Sequence, residues 1–214
     1  MNCYLVQEED GLTLIDSTMS SPADDVEAIA KQLGKELRRV ALTHAHGDHV
    51  GGVSGVRQRF PGVEVSIAER DAPILAGDKG LLATEPQTEV KGFFVKVDWK
   101  PDRLLKPGDR VGSLEVIASP GHTPGHVAFL DVRDRSLIAG DAFQTRGGIA
   151  VSGDLRLLFP FPAMATWNKQ VALASAGALR ALGPSLLAVG HGEAVSGPSA
   201  AMDRAIEAAR RAFG

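Results

Sequence analysis

Four short motifs spread along the chain, Thr43-His44-Ala45-His46-Gly47-Asp48-His49, Gly121-His122-Thr123, Gly140-Asp141 and Gly190-His191-Gly192, hold five of its six histidines, and each follows closely on an apolar, strand-like run. A fold that uses these motifs together must bring four distant strand ends to one edge of a sheet. Loops set at strand ends by a rigid scaffold are where binding residues usually sit. Imidazole and carboxylate are also the ligands that borderline divalent cations prefer, so a chain that gathers its histidine this way is read as a metal protein.

The spacing inside the first motif assigns two positions. His44 and His46 lie two apart at the end of an extended segment, where both rings point to the same side and can share one ion. Gly47 permits the sharp turn that aims Asp48 and His49 at a neighbouring position. His122, Asp141 and His191 are the remaining candidate ligands, since each ion needs more donors than its pair supplies.

The rest of the chain predicts a sheet core with helical outer layers. Cys3–Val6 and Leu12–Ile15 flank a polar turn and predict a hairpin. Ser21 and Pro22 open a helix whose Val26, Ile29, Ala30, Leu33 and Leu37 recur at helical spacing. Strands are predicted at Val40–Thr43, Val63–Ile67, Leu114–Ile117, Val127–Asp131, Leu137–Ala139 and Leu186–Val189, and helices near Val50–Phe60, Thr166–Leu182 and Ser199–Phe213. The segment 75–108, with Pro86, Phe93, Phe94, Trp99, Pro101 and Pro107, predicts either a lid over the site or a surface excursion with a satellite core.

Length and composition set the class. With 214 residues, 44% hydrophobic and 23% charged, the chain suits a single large domain, 1–214. A net charge of −3 offers no basic excess to a nucleic-acid backbone, so no nucleic-acid partner is expected. The first ten residues carry no basic segment followed by a long apolar run, and no stretch reaches membrane-spanning length, which predicts a cytoplasmic protein with no membrane partner. The lone Cys3 cannot form an internal disulfide and reads as a small core residue.

These motifs closely resemble the metallo-β-lactamase superfamily, in the branch containing glyoxalase II and the quorum-quenching lactonases. The resemblance runs from Asn2-Cys3-Tyr4-Leu5-Val6 through Leu14-Ile15-Asp16, the His44 motif, Pro120-Gly121-His122-Thr123-Pro124-Gly125-His126 and Gly140-Asp141 to Gly190-His191-Gly192. It implies an α/β, four-layer αββα sandwich. By motif it implies that His44, His46 and His122 hold one zinc, that Asp48, His49 and His191 hold the other, and that Asp141 bridges them. Two Zn²⁺ per chain are expected, with iron or manganese as alternatives. The same resemblance implies that His126 supports its loop and Asp16 the ligand loops, whereas Glu193 reads as a solvated surface carboxylate. Proteins of this kind usually carry about a strand's worth of chain ahead of their Asn-Cys-Tyr-Leu equivalent, so either that strand is dispensable here or the start is truncated.

With no histidine left as a free general base, a hydroxide bridging two metals is the expected nucleophile, and Asp48 the expected catalytic group that orients it and shuttles a proton. A small-molecule ester, thioester or lactone is the expected substrate. Asp141 stands where antibiotic-cleaving relatives usually have Cys or Ser, only 23 residues follow His191 where glyoxalase II has a long helical extension, and Gln144 stands where lactonases carry a tyrosine. These departures speak against antibiotic cleavage as the main activity, leave the thiol-binding extension missing and weaken the lactonase reading. Ile149, Val151, Leu155, Leu157, Leu158, Phe159, Phe161, Met164 and Trp167 offer either an apolar substrate wall or packing for the next helix. A homodimer is one way to cover exposed apolar residues of the lid. Two other classes remain open: a mononuclear iron persulfide dioxygenase, and a metal-binding module without catalysis.

Overall fold

A computed structural model describes residues 1–213. Its elements are β1 Tyr4–Gln7, β2 Leu12–Ile15, α1 Ala23–Leu33, β3 Leu37–Leu42, α2 Gly47–Val50, α3 Val53–Arg59, β4 Glu64–Ala68, α4 Ala72–Leu75 and β5 Arg103–Leu105 in the first half. The second half holds β6 Arg110–Val111, β7 Leu114–Ala118, β8 Val127–Asp131, β9 Ser136–Ile138, β10 Phe143–Gln144, β11 Ala150–Val151, α5 Phe161–Met164, α6 Lys169–Ala181, β12 Leu186–Ala188, β13 Val195–Ser196 and α7 Ser199–Phe213.

Two large sheets result, one in the order β1-β2-β3-β4-β5 and one in the order β13-β12-β9-β8-β7-β6, with β10 and β11 as a separate two-stranded antiparallel pair. The period-two alternation of each strand shows how they stack. In the first sheet Leu12, Leu14, Val40, Leu42, Val65 and Ile67 pack with Val26 and Ala30 of α1 and Val53 and Val56 of α3, while Ile15, Ala41 and Ala68 turn the other way. In the second, Ala128, Leu130, Leu137 and Leu187 pack with Leu179 of α6 and Met202 and Ile206 of α7, while Val127, Phe129, Ile138 and Ala188 turn inward to meet the first sheet. Three apolar layers between four structural layers make the αββα sandwich. Both faces of each sheet are covered, which is why these strands read as continuous apolar runs.

Where the elements depart from the sequence reading, glycine and capping account for it. The first helix stops at Leu33 because Gly34 adopts a left-handed φ of 62°, so Leu37 opens β3 instead of ending α1. The helix predicted near Val50–Phe60 is two, broken at Gly51-Gly52, and the first already begins at Gly47, placing Asp48 and His49 on a helical turn. The helix predicted from Thr166 starts at Lys169, where Asn168 Oδ1 accepts from Val171 N at 3.0 Å. Five short strands, β5, β6, β10, β11 and β13, carry too few residues to show a period. Segment 76–102 contains no helix or strand, yet Val90 is buried in the first core and Phe94, Val95, Val97 and Trp99 pack against it. It is therefore an anchored cover with its own apolar contacts. Among the described residues no helix is long and apolar enough to cross a membrane.

Phe129 is fully buried between the sheets. Phe129→Ala is expected to cost about 3–5 kcal/mol of stability, measured by denaturant unfolding, because neither sheet can move in to fill the cavity.

Candidate metal centre

The ends of β3, β7, β9 and β12 open onto one edge of the sandwich, where the two sheets are stitched by Val127 N donating to Thr43 O at 2.9 Å. All seven predicted ligands meet there. His44, His46, His49, His122, Asp141 and His191 are buried, and Asp48 is part-exposed to a cleft of about 380 Å³. Their donor atoms fall into overlapping groups, His44–His46–His122, His44–His49–Asp141 and Asp48–His49–His191, each within 4.8 Å.

The outward hydrogen bond of each imidazole decides which nitrogen faces the cluster. His46 Nε2 lies 2.9 Å from the Lys91 carbonyl, which only accepts, so Nε2 carries the proton and Nδ1 points inward bare. Thr43 Oγ1 gives its hydrogen to Asp16, and His44 Nδ1 in turn donates to Thr43 Oγ1 at 3.0 Å. His49 Nδ1 donates to Asp16 Oδ2 at 2.8 Å. His122 Nδ1 begins a relay: it donates to Ser152 Oγ at 2.9 Å, Ser152 to Thr166 Oγ1 at 2.9 Å, and Thr166 to the Pro162 carbonyl of α5 at 2.7 Å. His44 Nε2, His46 Nδ1 and His122 Nε2 therefore face inward bare, and His49 Nε2 faces inward as a position that a proton or a cation must fill.

Those nitrogens are crowded. His46 Nδ1 sits 3.1 Å from His44 Nε2 and 2.9 Å from His122 Nε2, with no proton left between them. His49 Nε2 and Asp141 Oδ1, 3.4 Å apart, are buried with no hydrogen-bond partner. Lone pairs and a carboxylate held this close repel, and orphaned buried polar atoms are costly. A cation at the centre resolves both, so the donor set fits a metal site. Asp141 Oδ2 lies 3.4 Å from His122 Nε2 and 3.3 Å from His191 Nε2, so this carboxylate borders both groups.

The titration behaviour has the same origin. Burial drives His44 and His122 well below the ordinary histidine range, leaving them neutral as ligands must be. Burial also opposes charging of His49 and His191, but Asp16 and Asp141 overcome it at His49, which is raised well above its usual value, and Asp141 and Asp48 lift His191 to about 9. The second half of the site thus draws positive charge.

His126 stays outside the cluster. Its Nδ1 meets Ser119 Oγ at 2.8 Å and its Nε2 accepts from Asp141 N at 3.1 Å, so it aims the Asp141 backbone, and burial pushes it down to about 3. Asp16, with a left-handed φ of 59°, also accepts from Thr43 N at 2.8 Å and binds the β2 end to the His44 loop. Glu193 is exposed. Two close approaches need glycine: at Gly190 a Cβ would strike Asp141 Oδ1 and His49, and at Gly92 it would strike the His46 ring.

Sequence reasoning missed the residues that support the ligands from behind. Asp71 is fully buried beyond the end of β4 and accepts from Ala45 N at 2.9 Å, Thr123 Oγ1 at 2.7 Å and Gly125 N at 2.7 Å, tying the His44–His46 loop to the His122 loop. Its place just after an apolar strand was the available signal. Ser152, Thr166 and the Lys91 carbonyl carry none.

Similarity to known proteins follows the same boundaries. A family model described as the metallo-beta-lactamase superfamily matches residues 2–191. The uncharacterized protein YobT of Bacillus subtilis is 51% identical over 212 residues, covering 99% of this chain and 91% of that protein. The hydroxyacylglutathione hydrolase GloC of Haemophilus influenzae is 29% identical over 158 residues, covering 69% and 68%. The crystal structure of TTHA1623 in a di-iron-bound form has a TM-score of 0.66 at 28% identity, covering 94% of this chain and 91% of that one.

Two outcomes are expected. Ser152→Ala removes the acceptor of His122 Nδ1 and should weaken divalent-metal binding about 10–100-fold in a chelator competition. Burial raises Asp71 to about 6 against roughly 3.9 when unfolded, so its favourable contribution is complete below that lower value and is lost as pH rises through about 6. Between pH 4 and 7 the unfolding free energy of the native chain should therefore fall, relative to Asp71→Asn, by on the order of 2 kcal/mol.

Proposed function

The chain belongs to the metallo-beta-lactamase superfamily and is a metal-dependent hydrolase, and from that premise we propose that it cleaves a small-molecule ester, thioester or lactone at a two-zinc centre. His44, His46 and His122 would hold one ion, and Asp48, His49 and His191 the other, with Asp141, whose carboxylate borders both groups, as a further ligand. The observation that carries this reading is the convergence of bare nitrogens and an orphaned Asp141 oxygen on the floor of an open cleft. Divalent cations bound there supply Lewis-acid polarisation of a carbonyl and water acidified to near neutral pH.

The protein side chains then do the rest. Asp48 Oδ2 sits 3.2 Å from His191 Nε2 and its carboxyl is open to the cleft, so it can take a proton from attacking water and return it to the departing oxygen or sulfur. Despite burial, the neighbouring His191 and His49 keep it ionised, the state a proton acceptor needs. Met19, Phe93, Phe161 and Met164 wall the cleft and limit the water that competes for the same face.

A mononuclear iron dioxygenase is the alternative reading. Such a site needs two imidazoles and one carboxylate, and would leave four of these seven donors without an occupant. The di-iron-bound form of TTHA1623, a structural neighbour, supports iron as an alternative metal.

Metal analysis is expected to return two ions per chain, and chelation to abolish hydrolysis of a panel of aryl esters, thioesters and lactones, with Zn²⁺ restoring it. One iron per chain with oxygen consumed would select the dioxygenase. Asp48→Asn should lower kcat at least about 100-fold while metal content changes less than about twofold. Equal losses in both would remove Asp48 from proton transfer and leave it a ligand only.

A further inference from the structure

The cleft is divided by chemistry. Its floor is made of His46, Asp48, His122, Asp141 and His191, and its walls of Met19, Gly92, Phe93, Phe161, Pro162, Met164 and Ala165. Among the described residues no lysine or arginine lines it. Apolar side chains are normally covered, yet Met19, Phe93, Phe161 and Met164 are 57–67% exposed, which is unusual for four large residues around one opening. An aromatic run joins the walls to the floor: Phe159 packs on His191 at 5.1 Å and on Phe161 at 5.6 Å. Arg146 is stacked on Phe159, 4.8 Å from the ring centroid, and does not line the cleft.

The wall is held in place. Thr166 binds the Pro162 carbonyl of α5 and reaches His122 through Ser152, so Phe161 and Met164 stand at a defined height above the ligands. On the opposite side Gly47 N donates to Phe93 O at 2.8 Å, which fixes Phe93 against the turn that carries Asp48 and His49.

We propose that these walls form an acyl subsite, and that the substrate is an ester or thioester of an uncharged, medium-length apolar acid. This rests on the hydrolase reading. The apolar chain lies between Met19–Phe93 and Phe161–Met164 with its carbonyl at the floor. Water oxygen bonds to the acyl carbon, the acyl C–O or C–S bond breaks, and the proton passes to the leaving oxygen or sulfur. An acyl-glutathione would bring two carboxylates and an ammonium into a cleft whose walls, among the described residues, provide no lysine or arginine to receive the carboxylates, so the leaving group is not recognised by charge away from the metal floor.

The test is a series of p-nitrophenyl esters, acetate, butyrate, hexanoate and octanoate, on the metal-loaded protein, with Phe161→Ser/Met164→Ser as the variant; both residues are exposed and the fold does not depend on them. The expected kcat/KM rises about two- to fourfold per methylene, as half to full burial of each CH₂ requires. In the double variant the octanoate-to-acetate ratio should fall at least tenfold. S-hexanoyl-glutathione and S-hexanoyl-N-acetylcysteamine should react within about threefold of each other. A flat series with acetate still hydrolysed overturns the proposal, as does a tenfold preference for the glutathione thioester. So does a dimer seen by sedimentation that the double variant dissociates, because the wall is then a subunit contact. If no ester is cleaved the hydrolase reading fails separately, and calorimetry decides the subsite: octanoate binding at least tenfold tighter than acetate, lost in the double variant, supports it, and equal binding overturns it.

Discussion

The outward hydrogen bonds of four buried imidazoles are the constraint on which the rest of this structure depends. A histidine offers a lone pair in a fixed direction only if its other nitrogen is committed, and here each commitment is to a group that cannot reciprocate wrongly: Asp16 for His49, an already-donating Thr43 for His44, the Lys91 carbonyl for His46, and the Ser152–Thr166 relay for His122. Asp16 serves two of the four, directly and through Thr43. The sandwich supplies these partners from β2, β3, the cover segment and the approach to α6, elements distant in sequence that only the packed fold brings together.

The fold and the front of the site were legible because both are written locally. Alternation and apolar runs marked the long strands, and His44 through His49 form one contiguous string whose spacing alone separates two groups of donors. Asp16 and His126 were legible as supports only by resemblance, and their bonds to Thr43, His49 and the Asp141 backbone match that role. The remaining supports were illegible for a physical reason. Ser152 and Thr166 are ordinary hydroxyl residues whose meaning is set by a ring that comes from another part of the chain. Lys91 contributes a backbone oxygen, which any residue has. The helix boundaries at Leu33 and Gly51-Gly52 were missed because the apolar period continues across a glycine that the backbone uses to turn.

Asp71 shows how such a site tolerates internal conflict. A buried carboxyl with three donors and no cation in contact is an expensive way to join two loops, since burial alone disfavours its charged form. The return is positional: the backbone beside His44 and His46 and the turn beyond His122 are referred to the same two oxygen atoms. A hydrophobic replacement could fill the space but could not hold three donors in register.

The Lys91 carbonyl has a consequence for how this chain can vary. One ligand is oriented by the main chain of a stretch that has neither helix nor strand, and the Gly92 backbone lies directly against that ligand's ring. Side chains of 76–102 that face solvent are therefore free to drift, while its apolar anchors and its length are not. A single insertion or deletion beside Lys91 would rotate a histidine forty-five positions upstream without altering any donor residue, so a homologue with every ligand intact can still have lost its metal.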